Sequence, residues 1–138
     1  IYGWNMEIDK ITKTIIGAAY DVSNTLGVGF LEKVYENALV HASLKTGLNV
    51  KQQHRILVHY DGVIVGEYVA DMLVNDCVLV EIKAVKALDE IHMAQCLNYL
   101  KATGLTLCLL INFGKSRVKI KRIVNNFQEL QIHTDARG

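Results

Sequence analysis

The sequence predicts an α/β fold in which a mixed β-sheet is flanked by helices. Over residues 7–45 the apolar residues recur at helical spacing, whereas from residue 50 onward they alternate with a period of two. Another helical pattern then separates two further apolar strands. Together these patterns predict the element order α-α-β-β-β-α-β-β, with a meander of antiparallel strands leading into a helix and a buried strand.

The first two elements are predicted to be helices. Residues 7–25 carry an apolar stripe at helical spacing, and Gly27 and Gly29 then interrupt the chain. A second helix is predicted from about Leu31 to Lys45, with Gly47 as its stop.

Three strands are predicted next. Residues 50–60 alternate between the two faces of a strand, and Asp61-Gly62 is a strong turn signal. Val63–Val74 is predicted to be the second strand, Asn75-Asp76 the second turn, and Cys77–Lys83 the third strand.

The rest of the chain adds a helix and two strands. Asp89 is a suitable cap for a helix over Glu90–Ala102, and Gly104 would end it. Leu105–Asn112 is so apolar that it is predicted to be a central strand covered on both faces. Val118–Val124 is predicted to be the last strand.

Length and composition favour one globular domain. The chain has 138 residues, of which 51% are hydrophobic. We expect one domain over residues 1–138, with a core at about 6–124 and a short helix or tail at 125–138. No stretch of membrane-spanning length is free of charge. The net charge of +1 argues against tight, non-specific binding to nucleic acid, but it allows an enzyme in which metal ions neutralise phosphate locally.

The cysteines indicate a reducing environment. Cys77, Cys96 and Cys108 are odd in number and scattered, and no CxxC pair occurs, which argues against a zinc site. All three lie in apolar stretches and are expected to be buried thiols, so a cytoplasmic location fits best.

The strongest functional signal lies on the second and third predicted strands. Asp71 is followed ten positions later by Glu81-Ile82-Lys83, and strand alternation places Glu81 and Lys83 on one face. Two carboxylates can hold a hard divalent cation, and a lysine beside it can steer a water. Two simpler interpretations are the hydrated end of a strand and a structural module with a buried Glu81–Lys83 ion pair.

The metal hypothesis makes a prediction about strand register. If Asn75-Asp76 formed a two-residue loop, Asp71 would lie opposite Val80 and point away from Glu81. The hypothesis therefore predicts a loop with an odd number of residues, or a bulge near Asp71.

Both neighbouring helices carry further candidates. One stripe of the third predicted helix carries His92, Gln95 and Tyr99. These side chains are either donors that face the metal or the ordinary polar side of an amphipathic helix. Glu32 is a candidate third carboxylate at the start of the second helix. For Glu36 we favour the simpler interpretation that acids near a helix N-terminus are stabilised by the helix dipole.

Four cations alternate near the end of the chain: Lys115, Arg117, Lys119 and Lys121, with Arg122 beside them. Their alternation predicts one positive face on the last strand. This face fits a phosphate-binding stripe, and it fits equally well an edge strand that uses lysines to block aggregation.

Taken together, these motifs resemble the GxxExxY family, a branch of the PD-(D/E)XK nuclease superfamily. The naming motif is complete at residues 29–35, and Asp71 with Glu81-Ile82-Lys83 is similar to the superfamily's acid-then-ExK signature. The segment from His92 to Leu100 resembles the family's helix, and Leu109–Phe113 resembles the buried strand that follows it. The resemblance covers roughly residues 6–124, with Ala70 where the superfamily's name has proline.

The resemblance implies a restriction-endonuclease-like fold with an α-β-β-β-α-β core and a metal-dependent nuclease activity on DNA or RNA, DNA more than RNA. It implies Mg²⁺ or Mn²⁺ held by Asp71, Glu81 and the Ile82 backbone carbonyl, with Glu32 as a ligand directly or through water. We expect no membrane partner and a possible homodimer. The alternative is an inactive nuclease-like module that binds nucleic acid or protein. The expected catalytic residues are Asp71, Glu81, Lys83, Gln95 and Tyr99, and the expected nucleic-acid-binding residues are His92, Lys115, Arg117, Lys119 and Lys121.

Overall fold

The structure is a computed structural model that describes residues 2–125, with side chains from residue 6 onward. These residues form three helices and a sheet. The helices are α1 (Tyr2–Leu26), α2 (Glu32–Lys45) and α3 (Glu90–Thr103). The short helix or tail predicted for residues 125–138 lies, beyond residue 125, outside the described residues. No helix in the described part is long and apolar enough to cross a membrane.

Within residues 2–125, five strands form one mixed sheet in the order β1-β2-β3-β4-β5. The β3–β4 pair is parallel and joined through α3, whereas the other neighbouring pairs are antiparallel. The predicted fold class and element order are therefore confirmed. The strands are β1 (Val50–Tyr60), β2 (Val63–Val74), β3 (Val78–Lys83), β4 (Leu107–Asn112) and β5 (Lys119–Val124).

Each face of the sheet packs on its own core. On one face, α1 and α2 pack over alternate residues of β2, β3 and β4, such as Val80 and Leu109. On the other face, α3 packs over the intervening residues, such as Leu79 and Leu110. All six residues of β4 are buried, because this strand lies between β3 and β5 and is covered by helices on both sides, as its composition predicted.

The β2–β3 turn sets the register of the sheet at the carboxylates. Val74 pairs with Val78, so the loop between them has three residues, and two of these, Asn75 and Asp76, have positive φ angles of 50° and 55°. Asn and Asp tolerate this left-handed conformation better than most residues. The predicted odd-numbered loop is confirmed, and continuing its register places Asp71 opposite Glu81.

The segment before α2 is held by a buried tyrosine. The Tyr35 hydroxyl donates to the Gly27 carbonyl oxygen at 2.6 Å and accepts from the Phe30 amide at 3.2 Å. Gly29, at φ 111°, supplies a backbone conformation that other residues rarely adopt. The Tyr35 ring also stacks on Phe113, with 4.8 Å between the ring centroids. This contact ties the start of α2 to the end of β4.

The basic face predicted for the last strand is only partly correct. Because β5 begins at Lys119, Lys115 and Arg117 precede the strand and are not on its face. Lys121 pairs with Leu110 on the α3 side of the sheet. Arg122 lies on the opposite face, where its guanidinium donates to the Thr12 hydroxyl on α1 at 3.0 Å.

The cysteines differ slightly from expectation. Cys77, Cys96 and Cys108 are free thiols, but only Cys96 and Cys108 are buried, because Cys77 lies in the partly exposed β2–β3 loop.

Candidate active site

Asp71 and Glu81 join β2 to β3 through their side chains. Glu81 Oε1 accepts from the Asp71 backbone amide at 2.8 Å, and Asp71 Oδ2 accepts from the Ile82 amide at 2.8 Å. The assigned backbone pairing between the two strands covers Met72–Val74 and Val78–Val80. Directly beyond it, the side-chain bonds of Asp71 and Glu81 connect the strands. Each uses one oxygen in these bonds, and the other oxygen of Asp71, Oδ1, accepts from Gln53 at 3.4 Å.

Burial makes this carboxylate pair electrostatically unusual. Glu81 is only 4% exposed, and burial, followed by the charge of Asp71, raises its pKa to about 8. Burial also raises the pKa of Asp71 from its ordinary value. Two neighbouring acids disfavour each other's ionisation, so a cation between them would be favourable.

Lys83 lies close enough to influence both acids. By strand alternation it shares a face with Glu81, and its positive charge lowers the pKa of Asp71 and of Glu81. Within the described part of the chain, however, Lys83 forms no ion pair. The structure therefore does not contain the Glu81–Lys83 ion pair that a purely structural module would require.

The Ile82 carbonyl belongs to the same edge of β3 as the carboxylates. Lys83 directs its carbonyl toward β4, where it accepts from the Phe113 amide at 2.8 Å. Backbone groups of successive strand residues point to opposite sides, so those of Ile82 point toward β2. The Ile82 amide confirms this direction because it donates to Asp71.

Glu36 is a third acid beside the pair, and the simple helix-dipole interpretation of it was incomplete. It is 4% exposed, and its carboxylate accepts from Lys33 at 3.1 Å, from Gln52 at 2.7 Å and from Gln53 at 2.8 Å. Gln53 also donates to Asp71 at 3.4 Å, and the charge of Glu36 raises the pKa of Asp71. No sequence signal on α2 identifies Glu36, because its burial depends on Gln52 and Gln53.

Glu32 is exposed and lies farther out on the same helix. It lines an open cleft of about 560 Å³ together with Glu36, Gln53 and Asp71. We call this space the carboxylate cleft. Glu32 therefore faces the approach to Asp71 without making the network of contacts that holds Glu36.

On α3, two of the three predicted residues work together. Gln95 Nε2 donates to the Tyr99 hydroxyl at 2.9 Å, and that hydroxyl donates to the Val69 carbonyl at 3.4 Å. Burial, followed by the charges of Glu81 and Asp71, raises the pKa of Tyr99. His92 instead caps its own helix, because its Nδ1 accepts from the Asp89 amide.

Asn112 was not among the sequence candidates, although it supports the segment after Lys83. It is 1% exposed at the end of β4, its Oδ1 accepts from the Val85 amide at 3.0 Å, and its Nδ2 donates to the Val85 carbonyl at 2.9 Å. Oδ1 also accepts from the Gly114 amide. A polar residue at the end of an otherwise apolar strand was the available signal.

The donor set at the carboxylates suits a hard divalent cation. It comprises the buried Glu81 carboxylate, the half-buried Asp71 carboxylate and a backbone carbonyl, all of them oxygen ligands, with the negative charge of Glu36 nearby. Among the described residues, no three His, Cys, Asp or Glu side chains come together to hold a metal.

Comparison with known proteins identifies the family. A sequence model described as the PD-(D/E)XK nuclease superfamily matches residues 9–123, which is most of the chain and includes every predicted catalytic residue. The chain belongs to the PD-(D/E)XK nuclease superfamily. Enzymes of this superfamily generally use divalent metal ions, which agrees with the oxygen ligands of Asp71 and Glu81.

One solved structure supports the fold of this PD-(D/E)XK protein. The alkaline exonuclease LHK-Exo from Laribacter hongkongensis matches with a TM-score of 0.53 and 18% identity, covering 74% of this chain and 60% of the exonuclease chain. The protein SSO0001 matches with a TM-score of 0.48 and 17% identity, covering 76% of this chain and 58% of the other. A search of curated proteins finds no match.

Proposed function

We propose that this PD-(D/E)XK protein is a nuclease of the GxxExxY branch that hydrolyses phosphodiester bonds with Mg²⁺ or Mn²⁺, acting on DNA more than RNA. The observation that carries the proposal is the pairing of Asp71 with Glu81 across β2 and β3, with Lys83 on the same face as Glu81. Homodimer formation and a cytoplasmic location are predictions that accompany it.

Asp71, Glu81 and the Ile82 carbonyl would hold the cation in this proposal. When bound there, a divalent cation would lower the pKa of a water and neutralise charge on the phosphate. Glu36 holds Gln53 against Asp71 and so orients that carboxylate from the α2 side. Glu32, exposed in the carboxylate cleft, would act through water.

Lys83 and the Gln95–Tyr99 pair would act on the water and the phosphate. Lys83 is free of ion pairs within the described residues, so its ammonium is available to orient the attacking water or, once deprotonated, to accept its proton. The Tyr99 hydroxyl bonds Val69 at a long 3.4 Å, and a phosphate oxygen could replace this acceptor.

The test is a cleavage panel of labelled single-stranded and duplex DNA and RNA with Mg²⁺, Mn²⁺ or chelator. We expect cleavage that requires the cation. Lys83→Ala should lower the rate by roughly 100-fold or more, the contribution expected of a general acid or base. Asp71→Asn should abolish cleavage, because the amide that replaces the carboxylate carries no charge to bind the cation.

Matched variants separate chemistry from folding. Lys45→Ala removes an exposed lysine from the end of α2, and Asp61→Asn changes an exposed turn aspartate that has a positive φ of 55°. Both should cut as the parent protein does. If Lys83→Ala and Asp71→Asn also cut at the parent rate, the site assignment is wrong. Metal-independent binding without cleavage would instead favour the inactive binding module.

A further inference from the structure

A second cavity lies between the β1–β2 hairpin and α3, outside the carboxylate cleft. It has a volume of about 500 Å³, within the range of small-molecule binding pockets. We call it the hairpin cavity. Its lining residues are Val58, His59, Tyr68, Asn98, Lys101 and Ala102.

The lining combines an aromatic ring, an amide and a cation. Tyr68 is 51% exposed, and its ring contacts the Tyr99 ring at a centroid distance of 5.9 Å and an angle of 48°. Asn98 and Lys101 are exposed and lie three residues apart on α3, so both point to the same side of the helix. An aromatic surface, a hydrogen-bonding amide and a lysine are the groups by which proteins hold unpaired nucleotides.

We propose that the hairpin cavity binds an unpaired nucleobase of the substrate. The base stacks on Tyr68, its edge hydrogen-bonds to Asn98, and Lys101 contacts the adjoining phosphate. This inference rests on the proposed nuclease function and specifies its substrate as a single strand or an unpaired end. A paired base in a duplex would first have to leave its stack, which costs energy.

The cavity is connected to the carboxylates through Tyr99. Tyr68 precedes Asp71 by three residues on β2, a distance of about 10 Å along a strand. Between them, the Tyr99 hydroxyl bonds the Val69 carbonyl, and its ring contacts Tyr68. A base in the cavity would therefore belong to a nucleotide close to the phosphate held at Asp71 and Glu81.

The test uses a single-stranded DNA oligonucleotide that carries the fluorescent base 2-aminopurine, with Mn²⁺ present and Lys83→Ala in every protein to keep the oligonucleotide intact. Stacking on Tyr68 should quench the fluorescence on binding. Tyr68→Phe retains the ring and should retain the quenching. Tyr68→Leu should lose it and weaken binding by roughly 5- to 150-fold, the range that corresponds to one lost base–aromatic stack.

Two further variants act as controls. Tyr20→Leu removes a tyrosine that is 44% exposed on α1, on the other side of the sheet, and should leave binding and quenching unchanged. Lys101→Gln should reduce the salt dependence of single-strand binding by about 0.7 in the slope of log K against log salt, which is the loss of one phosphate contact.

The outcomes separate this inference from the proposed function. If Tyr68→Leu binds and quenches like Tyr68→Phe, or if duplex binds at least as tightly as single strand, the subsite is overturned even when the parent protein cleaves DNA. Quenching that depends on Tyr68, in a parent protein that does not cleave DNA or RNA, would support the subsite and contradict the proposed nuclease function.

Discussion

At the scale of single residues, the buried charge of Glu36 affects the carboxylates of Asp71 and Glu81 indirectly. Its carboxylate holds Gln53, which donates to Asp71, and its charge raises the pKa of both Asp71 and Glu81. Glu36→Gln removes that charge, so it should lower the pKa of Glu81. It should also weaken Mn²⁺ binding roughly 10-fold, as loss of a neighbour that orients a metal ligand generally does.

Carbon NMR titration of the carboxyl groups and calorimetry with Mn²⁺ measure these two effects. Glu32→Gln is the matched control, since Glu32 is an exposed acid on the same helix, and it should have the smaller effect on both quantities. A larger effect from Glu32→Gln would mean that Glu32 is the third acid of the site.

Glu81 predicts an unusual dependence of stability on pH. Its pKa rises from an ordinary 4.5 to about 8 in the folded protein, so between these values the folded chain holds a proton that the unfolded chain has released. Stability should therefore fall as pH rises from about 5 to about 8, by up to about 1.4 kcal/mol per pH unit, and then level off.

Urea unfolding across this pH range, with and without Mn²⁺, tests the prediction. Because a cation binds the ionised carboxylates, Mn²⁺ should stabilise the protein more at the upper end of the range than at the lower end. Glu81→Gln cannot titrate and should weaken both trends. Identical pH profiles for the parent protein and Glu81→Gln would show that this carboxyl is not the group responsible.

At the scale of elements, the end of β4 positions the segment that follows Lys83. Asn112 bonds both backbone groups of Val85, and Gly114 lies so close that an added Cβ would overlap the Val85 backbone, 2.7 Å from its carbonyl carbon. Gly114→Ala must therefore push Val85 away. We expect a loss of roughly 2 kcal/mol in the free energy of unfolding and slower cleavage, because Lys83 is two residues from the displaced segment.

Gly17→Ala is the matched control for this glycine substitution. Gly17 is exposed in α1, and nothing lies within 4 Å of a Cβ placed there. Alanine favours the helix by about 0.5–1 kcal/mol over glycine, so this variant should be more stable than the parent protein. Thermal unfolding of the two variants gives the comparison, and a Gly114→Ala protein of parental stability would refute the close packing.

The elements and their register were largely predictable, whereas the supporting contacts were not. Period and turn residues placed all eight elements, because they reflect local geometry and burial. The odd β2–β3 loop followed from requiring Asp71 and Glu81 on one face. Glu36 was not predicted because its burial depends on Gln52 and Gln53. These residues belong to β1, and no local pattern on α2 reveals that they bond to Glu36.

The same limit explains the errors near the chain's end. Alternating cations suggested one strand face, yet Lys115 and Arg117 belong to the connection held by Asn112 and Gly114. His92 matched the spacing of a site residue and also completes a local helix cap, so its nucleic-acid-binding role stays a prediction. Spacing alone cannot distinguish these roles. The spacing of residues on a helix or strand predicts which face a side chain occupies, but it does not predict which group that side chain contacts.

At the scale of the whole molecule, the remaining question is what the cations of β5 do. Among the described strands β5 lies at an edge of the sheet, and Lys119 and Lys121 are exposed on its α3 side, the side that also carries Glu81 and Lys83. Arg122 lies on the opposite face and bonds Thr12. This arrangement allows the phosphate-binding and edge-protecting interpretations to be tested on one strand.

We expect Lys119 and Lys121 to contact substrate phosphates. Replacing both with Gln should reduce the slope of log K against log salt for single-stranded DNA by as much as about 1.4, because each released phosphate contact contributes about 0.7. Arg122→Gln should leave that slope unchanged, since its guanidinium faces α1. Fluorescence anisotropy over a salt series measures the slopes, and light scattering of the same samples reports association. An unchanged slope accompanied by new aggregation in the double variant would assign these lysines to protection of the sheet edge instead.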